Sequence, residues 1–190
     1  MTRILKPISA ETLGCLDQIF AQYFREERGM RIVERSLGND FTGRIDLLAT
    51  DGARVYLITI GTGEFPRCLF RSFTGYRWFR ENRDFLGRIY SPEEIDVTLP
   101  ACLIILSQDI PPGAPAVCKD VCTVPVLLYR YRLFGAPDDP DISVESLAEP
   151  EDKPVIEPSP DVLRKKLGIG PAGLSDAEIL DFRAAMGPFE

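Results

Sequence analysis

Residues 43–60, GRIDLLATDGARVYLITI, limit the folds open to this chain more than any other stretch. Two strand-length runs, 43–50 and 54–60, flank Asp51-Gly52, the dipeptide that most strongly signals a two-residue hairpin turn. The second run is β-branched and apolar almost throughout. A strand of that composition is buried on both faces, so the sheet it belongs to needs cover on both sides.

The rest of the chain supplies that cover. Ser9 can cap a helix running to about Arg28, with Leu13, Leu16, Ile19, Phe20, Tyr23 and Phe24 at helical spacing and Gly29 ending it. Residues 30–37 read as a strand before the hairpin. After Gly61-Thr62-Gly63 a second helix is expected from about Pro66 to Asn82, carrying Leu69, Phe70, Phe73, Tyr76 and Phe79. The run ACLIILS after Pro100 reads as a central strand, 115–122 as a short helix, and 124–133 as a last strand. Its Arg130/Arg132 side suggests an edge position with one wet face. The order is α-β-β-β-α-β-α-β, an α/β domain with a mixed sheet flanked by helices.

Composition then divides the chain. Residues 1–134 hold 17 Lys+Arg against 16 Asp+Glu, whereas 135–190 hold 5 against 13. The expected organisation is a domain over 1–134, an acidic Pro-rich linker over 135–160 and a helical tail over 161–190. In the tail, Ser175 and Glu178 form a capping box ahead of a helix over 176–186 with Ile179, Leu180, Phe182 and Met186 as its apolar stripe. Such a tail could cover a basic cleft or dock on a partner.

The chain of 190 residues contains no histidine, which excludes Ser-His-Asp and Cys-His hydrolysis, His-ligated zinc and haem with a proximal His. Its five cysteines, at 15, 68, 102, 118 and 122, are unevenly spaced and read as small buried residues of a reducing compartment. No apolar run approaches transmembrane length, and Met1–Pro7 lacks a signal peptide's apolar segment. The expectation is a cytoplasmic protein with no membrane partner.

Positive charge in the first 134 residues is almost all arginine, and six arginines lie between 67 and 88. Arg67, Arg71, Arg77 and Arg80 sit on the second helix. Guanidinium forks bind phosphate well, although a helix face of i,i+4 ion pairs has the same composition. Tyr76 and Trp78 on that helix are candidates for base stacking, but their helical spacing with Phe73 and Phe79 favours core packing for at least one of them. Gly61-x-Gly63 reads as a strand-ending turn.

The wording VERSLGNDFTGRIDLLATDGARVYLITIGTG followed by FTGYRWFRENRDFL resembles the PD-(D/E)XK, or restriction-endonuclease-like, nucleases. It is most similar to their RecB-type and archaeal-nuclease-like branch, over about residues 9–134. That resemblance implies phosphodiester hydrolysis with Mg²⁺ or Mn²⁺ held by carboxylates and a lysine beside them. Carried over position by position, the first-helix acid matches Glu11 and the second-strand acid matches Asp46. The third strand departs from the pattern: Thr59 stands where the acid belongs and Gly61 where the lysine belongs. Of the helix motif Q-x-x-x-Y only Tyr76 remains, with Ser72 in the glutamine position.

Two readings follow. The first is a catalytically degenerate nuclease-like protein acting as a nucleic-acid-binding or protein-interaction module. DNA is the favoured ligand, on Arg67, Arg71, Arg77 and Arg80, and the C-terminal helix is the place for a protein partner. The second is an active Mg²⁺- or Mn²⁺-dependent nuclease with a rearranged site around Asp46, helped by Glu11 or Glu34, with Glu64 replacing the lost acid and Arg67 facing the phosphate. Asp46 has a bland alternative as well: a buried aspartate paired with Arg44 or a backbone donor. Glu11 could merely favour a helix dipole, and Glu34 a cross-strand ion pair. Oligomeric state, including a homodimer, is left open.

Overall fold

The hairpin of residues 43–60 forms the middle of a six-stranded sheet in the computed structural model, which describes residues 7–10, 13–136 and 139–148. Strands β2 (Gly43–Thr50) and β3 (Val55–Ile60) pair antiparallel and are buried along nearly their whole length. Strand β1 (Arg31–Asn39) lies antiparallel outside β2. On the other side β4 (Ala101–Ser107) runs parallel to β3, β5 (Val126–Ala136) parallel to β4, and β6 (Asp139–Ala148) antiparallel to β5. The spatial order is therefore the chain order, and the two parallel steps are made by helical crossovers.

Helices cover both faces, as the apolar central strands require. On one face α1 (Leu16–Glu27) lays Phe20 and Phe24 against Leu47, Ile58, Ile104 and Tyr131. On the other, α2 (Phe65–Glu81) and α3 (Arg83–Ile89) lay Phe79 and Leu86 against Leu48, Leu57 and Leu103. A third cluster under α4 (Ala114–Val121) joins Phe65, Cys68 and Cys118 to Ile105 and Leu128. No described helix is long and apolar enough to cross a membrane.

The α/β class and mixed sheet agree with the sequence reading, and the strands over 43–50 and 101–107 match residue for residue. Five details differ. The first helix starts at Leu16, with Cys15 in the N-cap position, and not at Ser9. The β2–β3 connection spans four residues rather than two, because Asp51 Oδ1 accepts from the N–H groups of Ala53 and Arg54 at 2.8 Å each and builds its own turn. Helix α3 is an added element. Asn82 ends α2 by donating from Nδ2 to Trp78 O at 2.8 Å, and the chain restarts as a short helix anchored by buried Leu86.

Strand β5 is internal, not an edge, because β6 lies beyond it. That sixth strand occupies residues expected to be linker. Its Ile142 and Val144, two apart, pack on the α1 face of the sheet, while Asp141, Ser143 and Glu145 alternate with them. An edge strand needs only one apolar face, and acidic residues with a proline protect its open side from further pairing. The tail expected over 161–190 lies outside the described residues.

Candidate functional site

Asp46 is the chemical centre of the β2–β3 hairpin. It is 6% exposed in a largely apolar strand, so its carboxylate requires partners. The first is backbone: Ile60 N–H, at the end of β3, donates to Oδ2 at 2.7 Å. The second is Arg71 on α2, whose Nη2 donates to the same oxygen at 2.7 Å. The third is Arg44, two residues back on β2, with Nε 3.3 Å from Oδ1, an ion pair without hydrogen-bond alignment. Burial pushes the Asp46 carboxyl above its ordinary value, and Arg71, the Ile60 N–H and Arg44 each pull it part of the way back.

Arg71 reaches Asp46 because α2 lies unusually close to β2. Gly75, one turn further along α2, packs so tightly that a Cβ there would stand 2.7 Å from Arg44 O. The same Arg71 Nη2 also donates to the carbonyl oxygen of Ile60. One carboxylate oxygen and one carbonyl oxygen thus converge on a single cationic nitrogen. Two hard oxygens so placed would suit a divalent cation, but here the positive charge between them is the guanidinium.

The positions expected to carry acid and lysine are closed in different ways. Thr59 is 2% exposed within β3. Gly61 is wedged against α2: a Cβ there would stand 2.6 Å from Cys68 Sγ, so a lysine does not fit unless Cys68 shifts. Gly61 is also held by its own backbone, donating to Leu106 O at 2.7 Å and accepting from Tyr131 Oη at 2.7 Å. That phenol is fully buried. Tyr131→Phe should therefore lower the unfolding free energy by about 1–2 kcal/mol, read from urea melts, because Gly61 O is left without its partner.

Above the Asp46 group lies a cleft of about 680 Å³. The β1–β2 turn contributes Asp40 and Phe41, the start of β2 Arg44, the β3–α2 turn Gly61 to Glu64, and α2 contributes Arg67, Phe70, Arg71 and Thr74. Of the candidates named from sequence, Glu64, Arg67 and Arg71 therefore share one cleft, with Asp46 beneath it. Arg77 and Arg80 do not line it. Arg77 Nε pairs with Glu81 at 2.7 Å along the exposed helix face, and Arg80 sits 5.8 Å from the Tyr76 ring centroid.

Tyr76 and Trp78 are half-buried and pack against the second core cluster. Among the described residues Glu34 makes no cross-strand ion pair; it accepts from Tyr90 Oη at 3.3 Å and from Arg35 N–H. Glu11 lies outside the described residues. Among the described residues, no three His, Cys, Asp or Glu side chains are grouped so as to hold a metal ion. The donor set around Asp46 therefore does not fit Mg²⁺ or Mn²⁺ while Arg71 stands in it.

The sequence reading gives Phe41 no role, and it counts Phe70 among the apolar residues of the second helix, where the structure leaves it 70% exposed. The signal for Phe41 was an aromatic ring inside a polar turn, Asn39-Asp40-Phe41-Thr42-Gly43, where burial is hardly available. Compared with known proteins, the chain matches no family model and no curated protein.

Proposed function

We propose that this chain is a catalytically degenerate protein of the PD-(D/E)XK-like type that binds nucleic acid without cutting it. The observation that carries this reading is the Arg71 guanidinium bridging Asp46 Oδ2 and Ile60 O, where a hydrolytic site would need a metal ion. Thr59 and Gly61 support it, because they leave the third strand with neither an acid nor a lysine to prepare a water molecule. The open cleft above, with Arg67 on its wall, gives the nucleic acid a place to lie.

The expected result is no cleavage of labelled single- or double-stranded DNA or RNA in Mg²⁺ or Mn²⁺, with retention of at least one of them at low salt. Metal-dependent cleavage that disappears in Asp46→Ala would overturn the degenerate reading.

The active-nuclease reading has one observation in its favour: Glu64 and Arg67 open on the same cleft as Arg71. It requires Arg71 to leave Asp46, and Glu64→Ala would then abolish cleavage together with Asp46→Ala.

A further inference from the structure

Phe41 is 101% exposed and Phe70 is 70% exposed, and both line the cleft above Asp46. A single exposed ring means little, but two bordering one cleft from different elements form a feature. Phe41 is not on a loose loop. Asn39 Oδ1 accepts from the N–H groups of Phe41 and Thr42, each at 2.9 Å, and from Thr42 Oγ1 at 3.1 Å, which builds the turn that presents the ring. Phe70 follows Arg67 by three residues on α2, so the two side chains share a helix face.

The cations of this cleft differ in availability. Arg44 and Arg71 are both engaged by Asp46. Arg67 is exposed and makes no ion pair or hydrogen bond with any described residue. Asp40 and Glu64 offset part of the positive charge. The balance suits contact with one or two phosphates rather than a long polyanion track.

Apart from the two rings, the lining is largely glycine, threonine and charged side chains, which offers an apolar peptide little to pack on. It suits flat, polar-edged bases whose faces are free. In a duplex those faces are already stacked, so single strands are the better match.

We propose that the cleft binds a single-stranded nucleic acid, with bases stacked on Phe41 and Phe70 and a phosphate between them on Arg67. This rests on the nucleic-acid reading above and names the form of nucleic acid taken.

The test is fluorescence anisotropy of the full chain with a labelled oligo-dT single strand and with a duplex of equal length, at several salt concentrations. The single strand should bind more tightly. Phe41→Ala and Phe70→Ala should each weaken it by about 5- to 100-fold. Thermal melting should be unchanged in both variants, because both rings are exposed. The log–log salt slope should be shallow, about −0.7 to −1.4, and Arg67→Ala should flatten it.

Equal binding of single strand and duplex, weakened by Arg67→Ala and untouched by either phenylalanine variant, would overturn the stacking proposal and leave nucleic-acid binding intact. Failure of the wild type to bind either oligonucleotide at low salt would overturn both.

Discussion

Asp46→Ala should lower the unfolding free energy by about 3 kcal/mol, because it removes the acceptor that holds three groups at once. Arg71 and Arg44 would keep their charges with side chains only 34% and 37% exposed, and the Ile60 N–H would lose its bond at the end of a buried strand. Arg71→Ala should cost a similar amount for the opposite reason: a carboxylate 8% exposed is left with one misaligned cation and one N–H.

The diagnostic comparison is the double replacement Asp46→Leu with Arg71→Met. It removes both charges with apolar side chains of similar shape, and should recover at least half of either single loss. Urea melts of the four proteins measure this directly. Single variants that stay within about 0.5 kcal/mol of wild type would mean that the pair is not a structural element.

Gly43→Val is the second large effect. Gly43 has φ +138°, a conformation that L side chains rarely adopt, and a Cβ there would lie 2.3 Å from Thr74 O and 2.8 Å from Trp78 Cβ. Backbone strain of about 1–3 kcal/mol adds to overpacking of about 1–3 kcal/mol, so a loss near 3 kcal/mol is expected. The clash can be relieved only by lifting the β1–β2 turn from α2. That turn carries Phe41 and borders the cleft, so damage to stability and to the cleft should come together. Trp78 is the chain's single tryptophan and abuts this glycine, which makes its emission a local probe. A red-shifted folded-state emission with reduced stability is the expected outcome. Wild-type emission and stability would show that the turn has room the geometry denies.

Much of the fold was legible because periodicity and burial agree along the central strands. The β-branched run of β3, the strand-length run of β2 across the Asp51-Gly52 turn and the apolar β4 leave few alternatives for residues packed between two helical layers. What escaped was structure whose stabilisation is one-sided or local. Strand β6 is only partly buried, through Ile142, Val144 and Leu147, so its acidic composition outweighed a two-residue period. Helix α3 is a seven-residue piece fixed by Leu86 and by the Asn82 side chain at the end of α2, and seven residues give little helical period to read.

The site divides in the same way. The need of Asp46 for a partner followed from burial alone, and Arg44 was a natural candidate two residues away. The reach of Arg71 from 25 positions along the chain depends on how closely α2 approaches β2 at Gly75, a tertiary distance that spacing does not encode. The cleft likewise needs the β1–β2 turn and α2 side by side before Phe41 and Phe70 can be seen to share it.

The central claim is that the positive charge facing Asp46 is supplied by Arg71 and not by a metal ion. Calorimetric titration of Mn²⁺ into the wild type and into Asp46→Ala tests it most directly. The account predicts no saturable heat from either protein at millimolar metal. Saturable binding to the wild type that is lost in Asp46→Ala would contradict it, because the metal would then displace Arg71 and the carboxylate would be a working ligand.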